Sequence, residues 1–180
     1  TYPRGTPLLS EQERAETVAA YWACISFVDA QIGIVLDALD RNDLWKNTAV
    51  VFYSDHGYHL GEQSLWAKTS NFELDARVPM LIAAPGMTQG SKTAALAELL
   101  DLYPTLVELC DLPVPPGLEG TSLAPVLKDP QATVNESALT QHPRPAYYDR
   151  DSPPAPAAMG YSLRTDRFRY TEWRDWKTGA

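Results

Sequence analysis

The sequence predicts an α/β protein, with helices packed on a mainly parallel sheet and a small C-terminal antiparallel β subdomain. Three observations carry this. Helical apolar spacing over 10–40 leads through a short polar connection into an apolar, β-branched and aromatic run, TAVVFYS, at 48–54. A second apolar run, VPMLIAAPG at 78–86, is closed by proline and glycine. From Ser137 onward the texture changes to short alternating segments bounded by turn residues. Continuous apolar runs mark strands covered on both faces, and a helix, brief loop and strand form a layer unit that needs further strands beside it. The two parts are expected at 1–134, the α/β portion, and 135–180, an incomplete antiparallel subdomain.

The elements follow in order. Residues 1–9 hold two prolines and a glycine and read as an incoming loop. Ser10 followed three residues later by Glu13 fits a capping box, in which hydroxyl and carboxylate each satisfy an orphan backbone N–H at a helix start. Val18, Trp22, Ile25, Phe27, Ile32, Val35, Leu36 and Leu39 recur at helical spacing as far as Asp40 and predict a long packing helix with a broad buried stripe. Residues 41–47 are a polar connection. The run at 48–54 is expected to be a strand buried on both faces, with 78–86 as a parallel companion. A second helix is expected over 101–110, where Leu102, Leu106, Val107 and Leu109 are apolar and Pro104 is tolerated in the first turn. DLPVPPGLEG reads as extended loop and SLAPVLKDP as a short helical turn. SALTQH, MGYSLRT and RFRYTEW read as short antiparallel strands, the last two joined by a tight turn at 165–167. The intervening PAYYDRDSPPAPAA is too proline-rich for regular structure and reads as an exposed or substrate-side loop.

Composition narrows the function. A chain of 180 residues with 44% hydrophobic content can build a core. Its 15 basic and 23 acidic residues leave a formal charge of -8, without a Lys/Arg cluster of the kind that binds nucleic acid. An anionic ligand would need a local positive centre, which makes a bound cation attractive. Cys24 and Cys110 are far apart, without CxxC spacing, and read as small buried hydrophobes. No run of about 20 apolar residues suggests a membrane span. The start, TYPRGTPLL, has no basic and apolar leader pattern and reads as cut from something longer, so localisation is not legible from the residues.

Candidate chemistry gathers where the 48–54 strand ends. Asp55 and His56 stand there, followed by Gly57 and Gly61 in a loop that must turn or approach something closely. Carboxylate and imidazole are common ligands of divalent cations, although an arbitrary Asp-His pair is more often a loop acid and a satisfied imidazole. His56, His59 and Glu62 could converge if the loop were helical, but this is not HExxH and the glycines oppose a helix. His59 and Glu62 are expected to order the loop. Lys68, between Trp66 and Phe72, is either a solvated lysine or one whose stem packs while its ammonium is presented to an anion. His142 and Arg144 in QHPRP form a rigid pair that could grip an anionic substrate group, or a plain loop. Asp29, Asp37, Asp40 and Asp43 read as a solvated helix face. GxSxG, P-loop and GxGxxG motifs are absent.

SDHGYHLGE, LWAKTSNFELDARVPMLIAAPG, DLYPTL and LEGTSLAPVL together resemble the later part of the sulfatases, most closely their iduronate-2-sulfatase-like branch. The resemblance extends to YWACISFVDAQIGIVLDALD upstream and to QHPRP and MGYSLRTDRFRYTEW downstream. SDHG is shared with phosphatases and phosphodiesterases of the same superfamily, whereas the continuation through WAK and RVP is more specific. The resemblance implies an alkaline-phosphatase-like α/β sandwich and hydrolysis of a sulfate ester of a carbohydrate. It implies a calcium ion and an attacking hydrated formylglycine. By the same resemblance Asp55 and His56 would be calcium ligands and Lys68 would bind the sulfate and the charge on the leaving oxygen. Tyr58, His142 and Arg144 would lie toward the sugar pocket. An exported location, periplasmic, lysosomal or extracellular, is also implied.

The departures matter equally. The CxPxR segment whose cysteine becomes formylglycine is absent, as is an early Asp-Asp pair completing the calcium site; Cys24 lies in WACISFVD and Cys110 in CDLPVP. The expectation is a C-terminal part of a sulfatase, inactive alone, whose partners are the missing N-terminal part and a sulfated sugar, with neither nucleic acid nor membrane. Two other readings stay open: a phosphodiesterase or phosphatase on the same fold, and a non-catalytic binding module.

Overall fold

The computed structural model describes residues 9–87, 90–145 and 155–180. All but the last residue of the loop expected at 1–9, and most of that at 145–158, lie outside the described residues. Helix α1 spans Glu11–Arg41 and starts on the capping box: Glu13 N–H donates to Ser10 Oγ at 3.2 Å and Ser10 N–H to Glu13 Oε2 at 2.7 Å. The backbone and hydroxyl bonds from Ser10 hold the Glu13 carboxyl below its ordinary value.

The expected buried stripe is corrected. No residue of α1 is buried, and Trp22 and Phe27 stand 61% and 67% exposed. The described sheets, of two or three strands each, are too small to cover a helix of 31 residues. The helix is also long and apolar enough to cross a membrane by length and composition, contrary to the expectation that no such stretch exists. A core helix of a soluble protein meets the same test, and Asp29 and Asp37 would be costly in hydrocarbon.

Strand β1, Val50–Tyr53, is shorter than the run that predicts it, and Phe52 and Tyr53 are exposed rather than buried on both faces. The hairpin strands β2 (His59–Leu60) and β3 (Trp66–Ala67) follow, then the short helix α2 (Glu73–Ala76) and strand β4 (Met80–Ala83). β4 pairs with β1 antiparallel, Val50 opposite Ala83 and Tyr53 opposite Met80. This corrects the parallel pairing expected for these two runs. A parallel return needs a crossover of a dozen or more residues, usually a helix, whereas the intervening chain spends its length on a hairpin and a four-residue helix. The α/β class stands, with helices and antiparallel strands mixed.

Helix α3 (Leu102–Leu109) forms where apolar spacing predicts it and α4 (Ala124–Lys128) where a short helical turn is expected, and they bury Leu102, Val107, Ala124 and Val126. Cys24 and Cys110 are both exposed, which corrects their reading as buried hydrophobes. The last three strands, β5 (Ala138–Arg144), β6 (Ala158–Arg164) and β7 (Arg169–Asp175), make an antiparallel sheet in that order. Its last turn is tied by Thr165, whose N–H donates to Phe168 O at 2.8 Å. This sheet meets the 70–76 segment through polar contacts. Ser162 Oγ donates to Asn71 O at 3.3 Å, and Arg169 Nε to Glu73 Oε2 at 2.8 Å. Burial pushes the Glu73 carboxyl up, but Arg169, with Arg164 and Arg77, brings it net below its ordinary value.

Asp101, fully buried, is the staple of the middle segment. Its carboxylate accepts from Glu98 N–H at 2.8 Å, Thr121 N–H at 2.8 Å and Asn135 Nδ2 at 2.7 Å. Its carbonyl accepts from Thr105 Oγ1, which in turn accepts Leu123 N–H at 2.8 Å. Asp101→Ala leaves three donors without acceptor and is expected to cost about 3–5 kcal/mol, with Asp101→Asn costing less. Urea unfolding with unchanged m-value measures it; a loss under about 1 kcal/mol contradicts the staple.

Candidate active site

The end of β1 is turned by short-range bonds. Ser54 N–H donates to Pro79 O at 3.3 Å, and Ser54 Oγ donates to His56 O at 2.7 Å. His56 Nδ1 lies 2.7 Å from Gly57 O. A carbonyl only accepts, so Nδ1 carries the proton and Nε2 is left with a bare lone pair. Lys68 Nζ lies 2.6 Å from that Nε2 and donates to it. Asp55 Oδ1 stands 3.5 Å from the same nitrogen. The structure thus gathers Asp55, His56 and Lys68 in one cluster.

Gly57 is required by contact: a Cβ there would lie 1.7 Å from Leu74 O, because the loop is pressed against α2 and bonded to it, Gly57 N–H to Asp75 O at 2.7 Å. Gly61 supplies a φ of 116° for the hairpin turn. The backbone on either side of Lys68 is left-handed, φ 68° at Ala67 and 87° at Thr69. That is strained for residues with a Cβ, above all a β-branched one, and costs about 1–3 kcal/mol per residue.

The C-terminal sheet reaches this loop. Arg144 Nη1 donates to Thr69 O at 2.9 Å and to His142 Nε2 at 2.6 Å, while its guanidinium lies 5.0 Å from the Trp173 ring centre. Burial first, then the Arg144 charge, hold the His142 imidazole below its ordinary value of 6.5, against an opposing pull from Asp75. Tyr58 is stacked on Tyr21 of α1, with ring centroids 4.8 Å apart.

The set His56, His59 and Glu62 does not converge. Glu62 Oε2 accepts Leu60 N–H at 2.7 Å, which holds its carboxyl low, and His59 Nε2 lies 3.1 Å from Ser70 Oγ. Both therefore order the loop. Among the described residues there is no group of three or more His, Cys, Asp or Glu able to hold a metal. Asp55 and His56 still fit as part of a cation site: the bare Nε2 is the metal-binding form of imidazole. The 3.5 Å separation matches the roughly 3.3–3.7 Å between adjacent ligands bound at 2.3–2.6 Å. Asp75, Ser70 and Thr69, which support the cluster, carry no sequence signal; Asp75 reads as an ordinary acid in ELDAR.

Fold and cluster together define a mixed α/β protein that gathers a carboxylate, an imidazole and an ammonium just past the carboxyl end of β1. The Sulfatase family profile matches residues 1–112, and the profile described as N-sulphoglucosamine sulphohydrolase, C-terminal, matches residues 61–177. The chain belongs to the sulfatase family. Iduronate 2-sulfatase of Mus musculus is 35% identical over 204 aligned residues, covering 86% of this chain and 37% of that protein. A solved structure in complex with its substrate D-glucosamine-2-N,6-O-disulfate superposes with a TM-score of 0.78 at 26% identity, covering 94% of this chain and 37% of the other. A phosphonate monoester hydrolase from Silicibacter pomeroyi gives a TM-score of 0.70 at 25% identity, covering 84% and 33%. The chain therefore spans between 33% and 37% of the length of these relatives.

The depressed His142 value sets a pH dependence. Because its folded value lies below the unfolded one, protonation favours unfolding: the contribution is intact above about 6.5 and is lost as pH falls below it. The His142 ring resonances should titrate below 6.5 and shift upward in Arg144→Gln, which removes the repelling charge. A midpoint unmoved by that substitution would exclude Arg144 as a cause.

Proposed function

We propose that this chain carries part of the active site of a sulfuric ester hydrolase acting on a sulfated carbohydrate. The observation that carries the reading is the Lys68 ammonium 2.6 Å from the bare ring nitrogen of His56, with Asp55 alongside. In this reading Asp55 and His56 are two ligands of a calcium ion. When bound, calcium would neutralise charge on the sulfate ester. Nε2 has one lone pair, so a bound cation would displace the ammonium from it and leave Lys68 to meet the anion. Lys68 binds a sulfate oxygen and stabilises charge developing on the leaving oxygen.

Two donors are fewer than the six to eight oxygens calcium usually takes, and neither cysteine lies in a CxPxR segment. The nucleophile and the remaining ligands are therefore groups this chain does not contain, and the 180 residues alone are proposed to be inactive. His142 and Arg144, tied to the carbonyl after Lys68, lean toward the sugar side, and Tyr58 is a further candidate there. The sugar substrate is supported by the disulfated glucosamine bound to a structural relative and by the iduronate named for a sequence relative. Export from the cytoplasm goes with that substrate class. A second reading, hydrolysis of a phosphoryl or phosphonate ester, draws on the phosphonate monoester hydrolase likeness.

Lys68→Ala in the intact protein should lower sulfate-ester turnover about 10²–10³-fold, the usual loss of a charge-stabilising donor, with stability unchanged. Steady-state kinetics with 4-nitrophenyl sulfate and 4-nitrophenyl phosphate check both readings. Unchanged turnover removes Lys68 from the chemistry, and a preference for phosphate favours the second reading.

A further inference from the structure

Asp75 is only 4% exposed on α2, and its two ends hold the two loops that meet at the candidate site. Its backbone carbonyl accepts Gly57 N–H at 2.7 Å, one residue past His56. Its carboxylate Oδ2 accepts Ser70 N–H at 2.6 Å, two residues past Lys68. The same oxygen stands 3.4 Å from Nε2 of His59, itself 1% exposed and 3.1 Å from Ser70 Oγ. His59 pairs with Ala67, the residue before Lys68, across the β2–β3 hairpin. One buried carboxylate therefore reaches both flanks of Lys68, position 70 directly and position 67 through His59. The left-handed backbone at Ala67 and Thr69 lies between these two anchors, and such a conformation persists only while its surroundings over-determine it.

We propose that Asp75 is the positioning residue of this site: its carboxylate, through Ser70 and His59, holds the 67–69 backbone in the conformation that brings Lys68 Nζ to His56 Nε2. In this role Asp75 acts through the chain that carries Lys68 Nζ and His56 Nε2. A charge-assisted bond to a buried N–H is roughly twice as strong as a neutral one, which suits it to holding a strained loop. Asparagine at 75 keeps an acceptor for Ser70 N–H, alanine none, and serine is too short to reach it. The structural claim stands by itself; only its consequence for turnover rests on the sulfatase reading.

The test compares Asp75→Asn, Asp75→Ala and Asp75→Ser in the intact protein. The direct readout, taken with calcium removed by a chelator so that no cation competes for Nε2, is the nuclear Overhauser contact between the His56 ring Hε1 and the Lys68 Hε protons, with amide exchange over 102–109 as the fold control. The contact should be present in the unmodified protein and in Asp75→Asn, and lost in Asp75→Ala and Asp75→Ser with the control unchanged. A contact that persists in either folded variant overturns the proposal. Failure of the fold control in both makes Asp75 a folding residue and overturns it equally. With 4-nitrophenyl sulfate or D-glucosamine-2-N,6-O-disulfate as substrate, Asp75→Ala should lower kcat about 10²-fold while KM moves little, the scale of a small misplacement. In a Lys68→Ala background the same change should add less than about twofold, because the two act as a unit. Fully multiplicative losses overturn the coupling. Unchanged turnover in Lys68→Ala defeats the sulfatase reading instead, and the Overhauser result then decides Asp75 alone.

Discussion

A single asymmetry in one imidazole ring sets up the site. Gly57 O takes the proton of His56 Nδ1, so Nε2 faces outward as a lone pair, and only then does an ammonium settle 2.6 Å from it. With the opposite tautomer Nε2 would carry a proton and face Lys68 donor to donor. The end of β1 delivers His56, but Lys68 comes back to it by way of a hairpin and two left-handed residues. That backbone is strained by about 1–3 kcal/mol per residue. The opposing terms are buried hydrogen bonds to charged groups, Asp75 to Ser70 and Arg144 to Thr69, each worth about 1.5–3 kcal/mol. Strain and restraint are of the same size, so the loop is held without a large surplus.

The sheet of β5, β6 and β7 has a part in this beyond packing. Arg144, Ser162 and Arg169 each reach the segment from Thr69 to Glu73, so the last quarter of the chain touches the loop that carries Lys68. The two matching family profiles overlap over 61–112, which contains that loop. The first half of the chain has a different character. Within these 180 residues no side chain of α1 is fully buried, Val18, Ile32, Leu36 and Leu39 being half-buried, and β1 leaves Phe52 and Tyr53 exposed. A two-stranded ribbon is marginal on its own. The polar network around the site, rather than an apolar core beneath it, is what organises residues 54–76.

Much of the site was legible because the chemistry is local. The Asp55-His56 step after an apolar run, the close approach at Gly57 and the Ser10–Glu13 cap each depend on residues within a few positions, and each is found where the sequence puts it. The Lys68 alternative, solvated or presented, was open from spacing alone, and the fold resolves its geometry by closing twelve residues of loop onto His56. Asp75 was illegible. Its importance lies in a carbonyl and a carboxylate pointing to two different loops, and no pattern of residue types records that.

The sequence by itself determined the family, the longer helix and strand segments but not the β2–β3 hairpin or α2, and the residue types that meet at the end of β1. These follow from side-chain periodicity and short motifs, which are properties of the chain. Tertiary structure alone decided that β1 and β4 run antiparallel, that Trp22, Ile25, Phe27 and Val35 of α1 and both cysteines stand exposed, and that Asp75 and Arg144 brace the Lys68 loop. Strand direction depends on how the intervening chain turns, and burial on which surfaces come together. Both are set by contacts between residues distant in sequence, where periodicity carries no information.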